Sequence, residues 1–326
     1  VEYRYLGNTG VEVSRLCMGT MTFGKEADQA ASAALYARCR EAGINFFDCA
    51  DVYAEGGSER ILGGLIHDHR QDVIIASKVF GAVGPDRNAR GTNRRHIIQA
   101  VEGSLRRLNT DRLDIYYLHR WDAHTPLEES LRALDDLVAQ GKIVYPGVSN
   151  FAAWQIAKAL GISAREGLAP FRVVQPMYSL VKRQAEVEIL PLAAAENLGV
   201  VSYSPLGGGL LTGKYGDAGT AETAAGRIRE NEMYAKRYSR EGELETSRSF
   251  AALARSRGLH PATLAVAWAA AHPAVTAPII GARSLEQLEP SLGALEVDMT
   301  DELYKAVSRL VPPPAPATDR WEEVKE

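Results

Sequence analysis

The stretch Asn45-Phe46-Phe47-Asp48-Cys49-Ala50-Asp51-Val52-Tyr53 is an apolar run that closes on an acid and reaches a tyrosine five residues later. A Gly56-Gly57 turn follows, then Ser58, expected to cap a short helix carrying Ile61, Leu62 and Leu65. Three further apolar runs each end on a polar residue: Lys78 in VIIASK, His119 in LDIYYLH, and Ser149-Asn150 in IVYPGVSN. An Asp, a Tyr, a Lys and a His on successive strand ends meet in space only if the strands run parallel around one axis.

Working outward, residues 3–13 read as a hairpin around Gly7-Asn8-Thr9-Gly10, placed to plug one end of a barrel. Strands are expected at 16–19, 44–47, 73–77, 113–118, 143–148, 173–175, 200–203 and 277–280. Helical patterns separate them. The first runs over 28–42, with Gly43 just past its end. Thr92 is expected to cap the third, and Thr125-Pro126 to open the fourth with proline at its first helical position. The polar strand ends fall at Gly19, Asp48, Lys78, His119, Ser149, Gln175, Tyr203 and Ile280. Most intervals are about 30 residues, the length of one β-α unit. Sustained alternation of this kind implies a parallel sheet. Eight units imply an α/β fold of the closed (β/α)8 TIM-barrel type. A doubly wound open sheet is the alternative, but it gathers functional residues at one switch point rather than at nearly every strand end. The surplus length lies in the hairpin (1–15), a polar insertion at 207–245, an extra helix at 300–310 and an extended proline-rich tail at 312–326. The whole of 1–326 is read as one barrel domain.

With 326 residues, 46% of them hydrophobic, the chain can bury a large core. A net charge of −4 gives no electrostatic case for nucleic acid or an anionic membrane as partner. No apolar run approaches a membrane span, and the first residues, VEYRYLGNTG, lack the basic and apolar regions of a signal peptide. Cys17, Cys39 and Cys49 show no C-x-x-C spacing and cannot all pair, which suits a reducing, cytoplasmic compartment.

In a barrel, reacting groups stand at the carboxyl ends of the strands. Lys78 there is either a snorkelling surface residue or a buried cation, and Asp48 is the obvious partner. A lysine beside a phenol favours the phenolate, so Lys78 is expected to lower the pKa of Tyr53 and make it a usable general acid. His119 can donate a hydrogen bond to a carbonyl oxygen, although a lone histidine is more often a satisfied core residue. The set fits proton donation to a carbonyl oxygen while something attacks the carbon. No zinc ligand pattern and no G-x-S-x-G elbow is present, so a hydride from a nicotinamide is the natural attacker.

No G-x-G-x-x-G follows a strand. GGLLTGKY, ending at Tyr215, imitates a P-loop but puts tyrosine where the Mg²⁺-binding Ser/Thr belongs. The same glycines let backbone N–H groups approach a pyrophosphate, and Lys214 adds charge. Gly281-Ala282-Arg283-Ser284 meets a helix start, where Arg283 suits a ribose 2′-phosphate and hence NADPH over NADH.

The motifs GTMTFG, NFFDCADVYAEGGSERILG, IIASKV, LDIYYLHRWDAHTPLEESL, GKIVYPGVSNF, SYSPLGGGLLTGKY and IIGARSLEQL together resemble the aldo-keto reductase superfamily, over essentially residues 1–311. The chain is similar to the bacterial members that also resemble voltage-gated potassium-channel β-subunits. The resemblance implies a (β/α)8 barrel and NADPH-dependent reduction of aldehydes and ketones to alcohols. It implies a tetrad of Asp48, Tyr53, Lys78 and His119, with Tyr53 as the acid and His119 orienting the substrate. Ser149, Asn150 and Gln175 are implied to hold the nicotinamide carboxamide and Tyr203 to stack on its ring. Ser204, Pro205, Leu206, Gly209, Leu211 and Lys214 are implied to line the pyrophosphate, and Gly281, Arg283 and Gln287 the adenosine 2′-phosphate end. Thr20 and Met21 border the nicotinamide, and Arg227 is a candidate to fold over it. Phe23, Phe80 and Trp121 are the substrate candidates. Relatives often carry an acid and an asparagine after the EQL run; here Glu289-Pro290-Ser291 stands there, with Ser291 the partial substitute. A regulatory subunit that binds the nicotinamide with little turnover is the competing function. A homo-oligomer is left open.

Overall fold

The computed structural model describes residues 2–215, 226–238 and 242–320, without the side chains of Arg227 and Arg229. An antiparallel hairpin, β1 (Tyr3–Tyr5) and β2 (Glu12–Ser14), comes first. Eight parallel strands follow: β3 (Cys17–Gly19), β4 (Phe46–Asp48), β5 (Ile74–Val79), β6 (Leu113–Leu118), β7 (Ile143–Ser149), β8 (Val173–Gln175), β9 (Gly199–Val200) and β10 (Ile279–Ile280). They pair in the order β10-β3-β4-β5-β6-β7-β8-β9. The ring closes where the Ala277 N–H donates to Val200 O (3.2 Å) and the Ile279 N–H to Ser202 O (2.7 Å). This is a (β/α)8 TIM barrel with an N-terminal hairpin.

The helices are α1 (Gln29–Glu41), α2 (Gly57–Ile66), α3 (Arg94–Leu108), α4 (Leu127–Ala139), α5 (Ala153–Glu166) and α6 (Ile189–Ala195). Between β9 and β10 stand α7 (Arg227–Glu230), α8 (Glu232–Arg237), α9 (Glu243–Ser256) and α10 (Pro261–Ala271). After β10 come α11 (Leu285–Leu292) and the extra helix α12 (Asp301–Ser308). The tail at 312–320 forms no helix or strand, and the remainder of 312–326 lies outside the described residues. No helix among the described residues is long and apolar enough to cross a membrane.

Local chemistry corrects three expected helix starts. Asn93, not Thr92, caps α3, its side chain accepting from the His96 N–H. Thr92 instead accepts from the Ser130 hydroxyl. Pro126 occupies the cap position of α4 rather than its first turn, and Glu128 and Glu129 fill that turn, where the helix dipole favours anions. Ser58 lies inside α2, and its hydroxyl donates across to Thr20 (2.7 and 2.8 Å) instead of capping.

Two cores result. The larger lies between the strands and the helices. The smaller fills the barrel: Cys17, Phe46, Ala76, Ile115, Tyr117, Val173, Val201 and Ala277, together with Leu6 and Val13 of the hairpin. These interior residues sit toward the strand starts, so the hairpin plugs the amino-terminal end. Side chains alternate faces along a strand. Hence two residues beyond Phe46, Ala76, Ile115-Tyr117 and Val173, the inward positions at the other end are Asp48, Lys78, His119 and Gln175. Tyr117 fits inside because β7 offers Gly147 opposite; a Cβ there would stand 2.6 Å from the Tyr117 ring.

Candidate active site

Lys78 is wholly buried, and its ammonium has an acceptor for each proton. It donates to Asp48 Oδ2 (2.5 Å), to the Cys49 carbonyl (2.6 Å) and to the Tyr53 hydroxyl (3.3 Å). The other Asp48 oxygen, Oδ1, accepts from Gln175 Nε2 (2.7 Å). A buried ion pair holds only when its remaining hydrogen-bonding capacity is used, and here it is. The Tyr53 and His119 rings meet edge to face, their centroids 6.2 Å apart. The four tetrad residues thus converge at the carboxyl end of the barrel.

Tyr53 reaches this place through a strained turn. It opens a short 3₁₀ segment in which Ala54 (φ 49°) and Glu55 (φ 54°) are both left-handed, a conformation costing about 1–2 kcal/mol for a residue with a Cβ. Such strain persists where the surroundings over-determine it, which is common at reacting sites.

The electrostatics differ from the sequence argument at one point. Lys78 does pull the Tyr53 phenol down, but burial pushes it up harder and Asp48 adds to the rise, so the phenol stands at about 12. Charge placement is readable from strand ends; the depth of burial is not. The consequence is a phenol that keeps its proton throughout the neutral range. Burial opposes the Lys78 charge, yet Asp48 and Tyr53 outweigh it and raise the ammonium above its ordinary value. Burial, with Lys78 and Arg120 beside it, drops His119 to about 3, so its imidazole is neutral. A neutral imidazole and a neutral phenol beside a fixed cation form a donor pair suited to a carbonyl oxygen that is gaining negative charge.

Around this centre, Ser149 donates to the Gln175 carbonyl (2.9 Å), and Asn150, left-handed at φ 58°, donates to the His119 carbonyl (2.9 Å). The Tyr203 hydroxyl donates to Asn150 Oδ1 (2.6 Å), which ties the end of β7 to the segment after β9. Thr20 is buried, donates to the Asp48 carbonyl (3.1 Å) and supports the end of β4; Met21 beside it is half-buried. Ser204 is left-handed (φ 62°) and leads through Pro205 and Leu206 into Gly207, Gly208 and Gly209, all at positive φ. At Gly208 a Cβ would press to within 3.0 Å of the Tyr234 and Tyr238 rings, so the turn needs glycine. Leu211 is fully buried below it, and the Lys214 ammonium lies 4.9 Å from the Tyr215 ring centroid. Gly281 and Gln287 are exposed, Gln287 accepting from the Arg283 N–H (3.3 Å). The Arg283 guanidinium donates to Glu230 of α7 (3.3 Å). The Arg227 side chain falls outside the described residues.

Two candidates behave differently from expectation. Phe23 has no exposed surface and packs in the larger core, whereas Phe80 and Trp121 are half-buried. Ser291 is enclosed, with its hydroxyl lacking a hydrogen-bond partner among the described residues. Glu289 is occupied elsewhere, gripped by both arms of Arg38 (2.6 and 3.0 Å). The residues that strand-end reasoning missed lie behind and beside the tetrad. Asp51 and Glu59 are buried acids, Glu59 paired with the half-buried Arg107, and Trp154, 61% exposed, extends the Trp121 ring outward at 5.7 Å. Asp51 stood inside the opening motif, two residues before Tyr53, and was the one readable signal.

Asp48 and Lys78, both buried, and Tyr53 and His119, both half-buried, thus face the carboxyl mouth of a parallel barrel. The aldo/keto reductase family model matches residues 15–312, and the chain belongs to that family. It is 36% identical to a Bacillus subtilis protein named uncharacterized oxidoreductase YrpG, over 98% of both chains. It is also 37% identical to a probable voltage-gated potassium channel subunit beta of Oryza sativa (95% of this chain, 97% of the relative) and 35% identical to one of Arabidopsis thaliana (91% and 92%).

Proposed function

We propose that this chain, as one barrel domain over 1–326, is a cytoplasmic NADPH-dependent reductase that converts aldehydes and ketones to alcohols. The observation that carries the reading is the Lys78 ammonium held between Asp48 and the Tyr53 hydroxyl. The three buried free cysteines agree with a reducing compartment.

The residues present fit the coenzyme. Gly209 turns left-handed against the Lys214 side chain, which a Cβ there would meet at 3.3 Å, a Cβ on Gly281 would find its nearest neighbour at 3.8 Å, and Arg283 already holds a carboxylate in the place proposed for a phosphate. Ser204, Pro205, Leu206, Gly209, Leu211 and Lys214 line the pyrophosphate. Gly281, Arg283 and Gln287 take the 2′-phosphate end, with the enclosed Ser291 behind them. Ser149, Asn150 and Gln175 hold the carboxamide, Tyr203 stacks on the ring, and Thr20, Met21 and Asp48 border it. NADPH, when bound, supplies the hydride. His119 and Tyr53 orient the carbonyl oxygen, with Phe80 and Trp121 flanking the substrate. As the oxygen gains charge, Tyr53 gives it the phenolic proton, Lys78 stabilises the tyrosinate left behind, and water returns the proton. Asp48 keeps Lys78 charged and aimed.

The names of the plant relatives favour a second reading, a regulatory subunit that binds the coenzyme and turns over little. Turnover separates the two. Mixing the chain with NADPH and 4-nitrobenzaldehyde is expected to consume NADPH and give the benzyl alcohol; tight NADPH binding without consumption would sink the reductase reading and favour the regulator.

A further inference from the structure

Behind the tetrad lies a second charged group that the reaction above does not use. Asp51 is 1% exposed and sits in the turn between β4 and Tyr53, its N–H directed at the Lys78 carbonyl (3.4 Å). Glu59 of α2 is 0% exposed. The two carboxylates are treated unequally. Glu59 accepts from the Ser77 hydroxyl (2.6 Å) and from Arg107 Nε (2.7 Å). Among the described residues no side chain donates to either Asp51 oxygen, the Val52 N–H being the one backbone donor that pulls on it, and the buried Tyr116 hydroxyl lacks a partner. The groups facing Asp51 come from every neighbouring element: Glu59 from α2, Arg107 from α3, Lys78 from β5 and Tyr116 from β6. Arg107 balances one carboxylate, and Lys78 is already committed to Asp48. With both acids ionised, one buried negative charge is left over, which an interior strongly disfavours.

We propose that Asp51 holds a proton beside Glu59, directly behind Lys78 and Tyr53, and that losing this proton slows proton delivery by Tyr53. The inference rests on the carbonyl-reduction reading for its catalytic half. Tyr53 passes from neutral to anionic as it donates, so a new negative charge behind it penalises the tyrosinate and leaves the phenol nearly untouched. Asp51 is therefore a positioning residue that acts through Tyr53 and Lys78. Burial and Glu59 push its carboxyl up to about 7, against weaker pulls from Arg107, the Val52 N–H and Lys78. Tyr53 at about 12 and His119 at about 3 titrate far from that range. The assignment therefore has a distinct signature in pH.

The test is the single-turnover rate of 4-nitrobenzaldehyde reduction by the full chain and by Asp51→Asn, from about pH 5 to about pH 9. The wild-type rate is expected to fall about tenfold as pH rises through about 7, which corresponds to about one pK unit of differential interaction. Asp51→Asn is expected to stay flat, with NADPH affinity unchanged. A wild type without the inflexion, or a variant that keeps it, overturns the proposal. Urea unfolding against pH supplies a check that needs no turnover. A carboxyl raised in the folded state binds its proton more tightly there, so it costs stability as pH climbs from about 4 to about 7. His119 contributes the opposite slope in both proteins, so the difference between variant and wild type isolates Asp51. Equal slopes overturn the retained proton. A wild type that reduces no aldehyde, yet loses this slope in Asp51→Asn, fails the reductase reading and the catalytic half of the proposal while the buried proton stands.

Discussion

The two halves of the barrel mouth are built on opposite plans. Around β4, β5 and β8 the proposed reacting groups stand on strand ends or just beyond them and satisfy one another: the buried Lys78 with Asp48, Cys49 and Tyr53, and Asp48 with Gln175. From β9 round to α11 the proposed coenzyme groups stand on turns and short helices. They rely on left-handed glycines and meet through exposed contacts such as Arg283 with Glu230. The first half is already hydrogen-bonded within itself, which suits the proposed proton transfer, since such a step draws on preorganised charge. The second is held by interactions weak enough to be exchanged for those of a nucleotide.

The largest expected effects belong to the preorganised half. Tyr53→Phe keeps the ring and removes the acid, so kcat for aldehyde reduction should fall by ~10²–10⁴. NADPH affinity, read by fluorescence titration, should barely move; an unchanged kcat would remove Tyr53 from its role. Lys78→Met strands Asp48 in the interior with only Gln175, and urea unfolding should show a loss of about 3–5 kcal/mol. Removing both charges with Asp48→Asn and Lys78→Met should restore part of that loss. If the double variant is less stable than Lys78→Met alone, the pair is not the source of the effect.

The same contrast explains what could be read in advance. Strand-borne groups were legible because a side chain's face is fixed by a period of two, and a polar residue closing an apolar run is conspicuous: Asp48, Lys78 and His119 all followed from this. Residues 113–118 and 173–175 match their strands to the residue. Burial depth was not legible, and it reversed the expected direction for the Tyr53 phenol. Nor was the Glu59–Arg107 pair, since its members lie 48 residues apart and Glu59, in the first turn of α2, looks like an ordinary solvated acid. Adjacent cap-competent residues, Thr92 and Asn93, could not be ranked without knowing that Ser130 would claim the first.

The turn-borne half should respond more modestly, and selectively. Arg283→Ala is expected to weaken NADPH by about 10–100-fold, the value of a lost charge-assisted phosphate contact, while NADH changes little. Equal losses for both coenzymes would show that Arg283 does not read the 2′-phosphate and would erase the electrostatic side of the comparison.

The smallest effect sharpens the comparison most. Glu230 and Arg283 are 47% and 33% exposed and 3.3 Å apart, a surface pair worth about 0–1 kcal/mol. A 2′-phosphate bound to Arg283 must compete with that carboxylate, and both cannot be fully satisfied by one guanidinium. Glu230→Gln removes the competitor's charge. NADPH should therefore bind more tightly by up to about fivefold, the most such a pair can oppose. NADH, without the phosphate, should bind as before. The gain should shrink as salt is added, because exposed charges are screened over about 10 Å at 0.1 M ionic strength. A weaker NADPH complex in Glu230→Gln would mean the opposite: that Glu230 helps hold Arg283 in its binding position, so the coenzyme half would be preorganised after all and the two halves would differ only in depth.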